Sequence, residues 1–386
     1  MKVLIVNRWR TIGSKGGAEK VFCELSNALV ERGHDVVMVC FDAKAGRPAY
    51  ELDPRVKFIN AGLSPLNLCN GKFFRNLLSL SFLASRRRNK REELNAKAFK
   101  EKFVYSVNDR EFDIAISFQP QTTFALQKVL GFNVPIITMS HNRTDVTFPD
   151  NMASVVLDAV EHSAAVQVLR PEFKKEVTDK LPQANVIVIP NVVKKQSLTA
   201  HLCSKKIINI GRVTDQKRQL LLVQAFALLK EEFPDWTLEI WGETTVDDRY
   251  CQLVQQEIMK HGLEQRVLLC GTTDRIFEVL ASASVFAFPS KHEGWGLALT
   301  EAMSLGLPSV GCRDCSAVNS LVKNNDNGLL CTPTPEALAE SLSLLMKTPS
   351  LRAKLGAKAR HDMRIYAPEL VWKQWEETLL ALSRSR

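Results

Sequence analysis

Short apolar runs alternate with longer segments in which apolar residues recur every third or fourth position, and this alternation continues along most of the chain. Strand-like runs fall at residues 3–6, 36–41, 114–118, 135–139, 164–169 and 186–189. The pattern then starts again at 207–210, 238–241, 267–270, 285–288 and 309–311. Between the first two runs, residues 18–32 form an amphipathic helix in which Val21, Leu25, Ala28 and Leu29 share one face and Gly33 provides the stop. Helical patterns at 219–232, 250–261, 276–283 and 335–346 separate the later strands. Strands spaced by helices in this way predict parallel sheets, because a parallel pair needs a long crossover connection and the returning helix covers a sheet face.

The restart of the pattern predicts two domains. A polar stretch, 189–200, follows the last strand of the first series and reads as the linker. The expected division is an N-terminal domain at 1–195, a C-terminal domain at 196–368, and a final helix at 369–386 that crosses back to the first domain. That helix is apolar on one face through Val371, Trp375, Leu379 and Leu382. A chain of 386 residues gives each domain enough length for its own core.

Composition changes this picture little. Hydrophobic residues make up 45% and charged residues 24%, as in ordinary globular proteins. No uninterrupted apolar run reaches the roughly 18 residues that span a bilayer. The amino terminus, Met1-Lys-Val-Leu-Ile-Val-Asn7, reads as a first strand rather than a signal peptide. Nine scattered cysteines fit a reducing compartment, and Cys312-Arg-Asp-Cys315 stands alone, without a second pair or a nearby His.

Charge is more informative. Residues 71–104 hold ten Lys and Arg against three Glu, a local balance of +7 that leaves only +2 of the total +9 for the rest. One basic block is a different feature from the diffuse basic surface of a nucleic-acid binder. Phe73, Phe74, Leu77, Leu78, Phe82 and Leu83 precede Arg86-Arg-Arg-Asn-Lys-Arg91, so a helix here would present apolar and cationic surfaces to a membrane interface. The other reading places the aromatics in the domain core and leaves the cations as a solvated face.

The chemistry concentrates in Pro289-Ser-Lys-His-Glu-Gly-Trp-Gly-Leu-Ala-Leu-Thr-Glu-Ala-Met303. A buried strand ends here and a helix begins after Gly294 and Gly296. Glu293 stands in the loop, the N–H groups near Gly296 and Leu297 point at an anion, and Glu301 lies one helical turn on. Two carboxylates bracketing an anion site suit a nucleotide sugar. Alone, the spacing also fits an ordinary strand-loop-helix with a solvated Glu293 and a dipole-complementing Glu301.

A second cluster, Gly211-Arg-Val-Thr-Asp-Gln-Lys-Arg218, follows the strand at 207–210. Arg212 and Lys217 would complement a diphosphate there, one as a planar fork and one as a mobile point charge. A solvated basic turn is the plainer alternative. In the first domain, Gly16 and Gly17 in Ser14-Lys-Gly-Gly-Ala-Glu-Lys20 permit close backbone approach at a helix amino end. This is not a G-x-G-x-x-G fingerprint, so a nicotinamide dehydrogenase is weakly supported. His141 follows the strand at 135–139 and projects into the same cleft; a lone His in such a place can also be purely structural.

Taken together, these motifs resemble glycosyltransferase family 4, retaining transferases of the GT-B fold and of the bacterial surface-polysaccharide type. The likeness rests on Gly16-Gly-Ala-Glu19, Gly211-Arg212 with Lys217, the Glu293 and Glu301 pair, Gly306-Leu-Pro308 and Asn327-Gly-Leu-Leu330. It implies an α/β fold of two Rossmann-like parallel-sheet domains facing a central cleft. It also implies that Gly16 and Gly17 approach the donor phosphate and that Arg212 and Lys217 neutralise it. Glu293 would hold the donor sugar's hydroxyls near the reacting carbon, and Gly294, Trp295, Gly296 and Leu297 would belong to the donor-binding site. Glu301 would hold the ribose hydroxyls, and His141 would contact the sugar from the acceptor side. The segment Asp314-Cys-Ser-Ala-Val-Asn-Ser-Leu321 departs from the pattern, since many relatives carry a glycine pair there and an acidic residue where Ser320 stands.

The implied reaction moves a hexose or N-acetylhexosamine from a nucleotide sugar, UDP-linked in most of the family, to a glycan acceptor, with the donor configuration retained. The sequence contains no Asp-x-Asp metal motif, so the cations and helix amino ends are expected to stabilise the leaving diphosphate without a metal or cofactor. The expected partners are the donor, a lipid-linked glycan acceptor of lipopolysaccharide or capsule synthesis, and an anionic membrane surface reached through 73–91, with no nucleic acid. This places the chain in the cytoplasm, peripheral on the inner face of the cytoplasmic membrane. A sugar-nucleotide epimerase of the same fold, or a transferase with a soluble acceptor, remains as an alternative.

Overall fold

A computed structural model describes residues 1–8, 11–62, 81–107, 111–131 and 134–384, with the side chains of 81–83 outside the description. The chain divides into two compact units. Unit 1 comprises Met1–Asn191 and Val371–Arg386, and unit 2 comprises Val192–Leu370.

In unit 1 the elements run β1 (Lys2–Asn7), α1 (Gly17–Glu31), β2 (Asp35–Cys40), β3 (Lys57–Asn60), α2 (Ser81–Ser106), β4 (Ile114–Ser117), α3 (Pro120–Leu130), β5 (Ile136–Ser140), α4 (Thr144–Thr147), α5 (Ser154–Glu161), β6 (Ala165–Val168), α6 (Pro171–Lys180) and β7 (Val186–Val188). The strands form one parallel sheet in the order β3-β2-β1-β4-β5-β6-β7. Ile5 of the central strand sits opposite Met38 on one side and Ile116 on the other. Strands buried on both faces read as continuous apolar runs, which is why the sequence shows them so plainly.

Unit 2 repeats the plan with β8 (Lys206–Ile210), α7 (Gln219–Leu229), β9 (Thr237–Trp241), α8 (Asp248–Lys260), β10 (Val267–Gly271), α9 (Ile276–Ala281), β11 (Val285–Phe288), α10 (Leu297–Ser304), β12 (Ser309–Cys312), α11 (Ser316–Leu321), β13 (Gly328–Cys331), α12 (Pro335–Lys347) and α13 (Pro349–Asp362). Its parallel sheet has the order β10-β9-β8-β11-β12-β13. A final helix, α14 (Pro368–Arg384), belongs to unit 1 from Val371 onward and buries Val371, Trp375 and Leu379. The two sheets are Rossmann-like. Each strand order reverses at one place, between β1 and β4 in unit 1 and between β8 and β11 in unit 2. Open parallel sheets bind ligands at the carboxyl ends of their strands at such a reversal.

Several details differ from the sequence reading. β3 and β13 were not expected; both are edge strands. The division between the units, Asn191 to Val192, falls inside the stretch 189–200, whose later part is fixed within unit 2: Val193 N–H bonds the Tyr366 carbonyl at 2.8 Å and Ala200 N–H bonds that of Leu305 at 3.0 Å. Helix α2 carries the part of the basic block that lies within the described residues. Arg86, Arg87, Lys90 and Arg91 are exposed, while further along Ala96, Phe99 and Phe103 enter the unit 1 core, with Phe99 against Phe41 at 4.7 Å between ring centroids. Phe73, Phe74, Leu77 and Leu78, on which the membrane reading also leaned, lie outside the described residues, as do the side chains of Phe82 and Leu83. Among the described residues no helix is long and apolar enough to cross a membrane.

Candidate functional site

In unit 2 the reversal point is where Lys217 and Glu293 meet. Lys217 ends a 3₁₀ turn, Asp215–Lys217, between β8 and α7, and not the helix itself; α7 begins only at Gln219. Glu293 lies in the loop between β11 and α10. Their charged atoms, Lys217 Nζ and Glu293 Oε1, are 2.5 Å apart, and the side chains are only 14% and 11% exposed. The ammonium also lies 5.1 Å from the ring centroid of Phe288, a cation–π contact at the end of β11. Glu293 is therefore not the solvated loop residue of the plainer reading: it is the counterion of a shielded lysine.

Backbone contacts join the same two loops. Lys291 N–H donates to the Gln216 carbonyl, and Gln216 Nε2 donates to the His292 carbonyl, both at 2.8 Å. Lys291 and Asp215 form an ion pair beside them. Arg212, placed with Lys217 by the sequence, is exposed; its carbonyl accepts from Gln219 Nε2 at 3.1 Å. Arg212 is thus open to solvent, while Lys217 is already paired with Glu293.

The loop from Glu293 turns through Gly294 and buries Trp295, which is 4% exposed and meets Tyr366 edge-on at 4.9 Å. The Trp295 ring is thus packed into unit 2 rather than displayed. Gly296 then takes φ 91, a left-handed conformation that favours glycine, and Leu297 opens α10. The first helical bond is donated by Thr300 to the Gly296 carbonyl, so the N–H groups of residues 297–299 have no partner inside the helix. Such a helix end attracts anions. At α7 the corresponding end is partly occupied, since Leu220 N–H donates to the Tyr250 hydroxyl at 3.0 Å. Glu301 lies in the second turn of α10, half-buried.

In unit 1, Gly16 caps the amino end of α1 and Gly17 is its first residue. A Cβ at position 16 would meet only the carboxylate end of the Glu19 side chain, which can swing aside. Asp42, just past β2, sets the preceding loop. Its carboxylate accepts N–H bonds from Thr11 and Ile12, both at 2.8 Å, and from Lys44 at 3.0 Å. Burial opposes ionisation of Asp42, but these three donors outweigh it and hold the pKa below the usual carboxylate range. A carboxylate so occupied by its own chain is a poor ribose ligand, which fits the absence of a dinucleotide fingerprint.

At the unit 1 reversal point, Gln119 Nε2 donates to Asn7 Oδ1 at 2.6 Å and its Oε1 accepts from Arg8 N–H at 3.0 Å. Burial pushes the Arg8 guanidinium down to about 10, opposed by nearby Glu92 of α2. His141, directly after β5, stacks on Phe118 at 4.6 Å between ring centroids, and its Nε2 is buried without a hydrogen bond. Burial pushes its pKa down to about 4, so the ring is neutral at pH 7 and offers one donor and one acceptor rather than a charge.

Three contributors were not legible in the sequence. Gln216 and Asp42 act through backbone groups, and Arg218 reaches Asp314, 96 positions away. The only signal for any of them was Asp42's place at a strand end. Among the described residues no group of three or more His, Cys, Asp or Glu could hold a metal ion.

Comparisons with known proteins bear on the family and the fold. The family described as Glycosyltransferase Family 4 matches residues 15–196, and that described as Glycosyl transferases group 1 matches 174–362. An uncharacterized glycosyltransferase of Haemophilus influenzae is 24% identical over 380 residues, covering 95% of this chain and 97% of that protein. The amylovoran biosynthesis glycosyltransferase AmsD of Erwinia amylovora is 22% identical over 379 residues, covering 95% and 97%. The fold is also that of a mutant Staphylococcus aureus TarM, solved in complex with fondaparinux, alpha-GlcNAc-glycerol and UDP. The TM-score is 0.77 at 17% identity, with all of both chains covered.

Proposed function

The chain belongs to the family 4, group 1 glycosyltransferases, with the GT-B fold, and from that premise we propose that it is a retaining, metal-independent transferase. It moves a hexose or N-acetylhexosamine from a UDP-sugar to a lipid-linked glycan acceptor in bacterial surface-polysaccharide synthesis. The observation that carries the donor reading is the Lys217–Glu293 pair at the strand reversal of unit 2, beside the open amino end of α10. The lysine and the helix end offer positive potential to a diphosphate, and the carboxylate offers charge-assisted acceptors to sugar hydroxyls. Bond breaking puts negative charge on the leaving diphosphate. Cationic groups already fixed in a shielded loop stabilise that charge without reorganising.

UDP as the nucleotide follows TarM and the family habit, and a surface-glycan role follows AmsD. The acceptor reading draws on the exposed cations of α2 at Arg86, Arg87, Lys90 and Arg91, each worth about 1 kcal/mol near an anionic membrane. A front-face displacement, in which the departing phosphate takes the acceptor proton, gives retention without a protein nucleophile. His141, neutral and stacked on Phe118, serves as a hydrogen-bonding partner to the transferred sugar.

The test is turnover of a panel of UDP- and GDP-sugars with and without undecaprenyl-linked glycan, in excess EDTA, with the anomeric configuration of the product read by NMR coupling constants. An inverted product overturns retention. Conversion of a donor sugar with no acceptor present points instead to an epimerase.

A further inference from the structure

Immediately after Lys217 the chain takes an unusual turn. Arg218 adopts φ 55 and ψ 39, one of two left-handed non-glycine residues among those described, and it caps the amino end of α7. An L residue in this conformation is strained and persists only where its surroundings over-determine it. Here they do. The guanidinium forks onto Asp314, with Nη1–Oδ1 at 2.9 Å and Nη2–Oδ2 at 2.6 Å, and Nη1 also reaches the Pro289 carbonyl at 3.4 Å. Asp314 lies after β12 and Pro289 after β11, so one side chain joins three strand-end loops of unit 2.

We propose that Arg218 and Asp314 are positioning residues for glycosyl transfer: the fork fixes the left-handed turn that aims Lys217 at Glu293 and at the donor diphosphate. The inference rests on the donor-site reading above. Glycine would adopt the turn at no cost but would leave the preceding lysine free to swing. Arginine accepts the strain and is held at three points. Most exposed ion pairs contribute little, but this fork is bidentate, its arginine is 16% exposed, and both hydrogen-bonded oxygens belong to one carboxylate. The fork also holds the Arg218 pKa up and the Asp314 pKa down, which keeps the pair charged across ordinary pH.

The experiment titrates UDP and GDP into wild type and variants by calorimetry, with melting followed in parallel. Arg218→Gly leaves the turn available and removes the fork. It is expected to weaken diphosphate binding at least fivefold while the melting temperature holds or rises. Asp314→Asn should weaken binding similarly, and Asp314→Glu should restore it to within threefold. The Asp314 variants separate positioning from direct contact: if Arg218 itself gripped the diphosphate, freeing it from Asp314 would not weaken binding.

Wild-type affinity in Arg218→Gly, or loss of affinity only in step with a fall in melting temperature, overturns the positioning role. So does equal loss in Asp314→Glu and Asp314→Asn. Lys217→Ala is the control on the site itself. If it binds UDP or GDP as wild type does, or if wild type binds neither, the donor-site reading fails independently of the fork.

Discussion

Replacing Glu293 with alanine separates the structural and chemical work of one carboxylate. The substitution leaves the Lys217 ammonium against the Phe288 ring with 14% of its side chain exposed and its counterion gone. Breaking a buried pair by removing one partner costs about 3–5 kcal/mol. Residual exposure selects the lower end of that range, and the cation–π contact, worth about 1 kcal/mol, leaves about 2 kcal/mol for unit 2. In a domain of this size each kcal/mol moves the midpoint by about 2–4 °C, so the unit 2 transition should fall by about 4–8 °C in differential scanning calorimetry. Turnover should fall about a hundredfold, the loss of roughly 3 kcal/mol of transition-state stabilisation. Diphosphate binding should move the other way. With no carboxylate sharing its ammonium, Lys217 should bind UDP at least as tightly as in wild type. Glu293→Gln, which preserves volume and an acceptor, should melt closer to wild type and turn over as poorly as the alanine variant. Unchanged melting would refute the idea that the pair contributes stability, and near-normal turnover in a folded variant would remove Glu293 from the site.

Turnover should survive excess EDTA, because the sequence lacks Asp-x-Asp; complete loss restored by Mg²⁺ or Mn²⁺ would overturn the metal-free mechanism. With its pKa lowered by burial from 6.5 to about 4, His141 takes up a proton in the unfolded chain but not in the folded one between those values. Unit 1 stability should therefore be complete above about pH 6.5 and decline towards pH 4. NMR titration of the ring C–H resonances should show no protonation above pH 5, and a midpoint near 6.5 would contradict the burial. Vesicles containing anionic lipid should sediment the wild-type protein at low salt. Replacing Arg86, Arg87, Arg88, Lys90 and Arg91 with Gln should release it without lowering donor hydrolysis, and equal sedimentation of both would leave α2 as a solvated face.

The strands in the middle of both sheets were legible because burial on two faces demands unbroken apolar runs, as in Val285–Phe288. The edges were not. Lys57-Phe-Ile-Asn60 is only partly buried and carries a charge and an amide, so its periodicity is that of a loop. Helices α3, α6 and α13 do not stand out in the apolar pattern, although each opens with proline, at Pro120, Pro171 and Pro349, the residue that fits a first helical turn without losing a hydrogen bond. At the site, Lys217 and Glu293 were legible because glycines and strand ends flag such loops. What those residues do to each other was not, since the pairing joins positions 76 apart. The fork between Arg218 and Asp314 was invisible for the same reason, and Arg218 carries no glycine to betray its left-handed turn.

The stitching between the 215–217 turn and the 291–293 loop has a consequence for how ligand binding should register calorimetrically. Two backbone-directed bonds and two ion pairs, Lys217 with Glu293 and Lys291 with Asp215, close a long chain loop when unit 2 folds. The entropy of ordering these segments is spent in folding, not at the encounter with a donor. Association should then proceed with a small heat-capacity change and with amides of 215–217 and 291–293 already slow to exchange beforehand. A loop that ordered only on binding would show the reverse: fast exchange in the free protein and a heat-capacity change too large for the surface a nucleotide can cover.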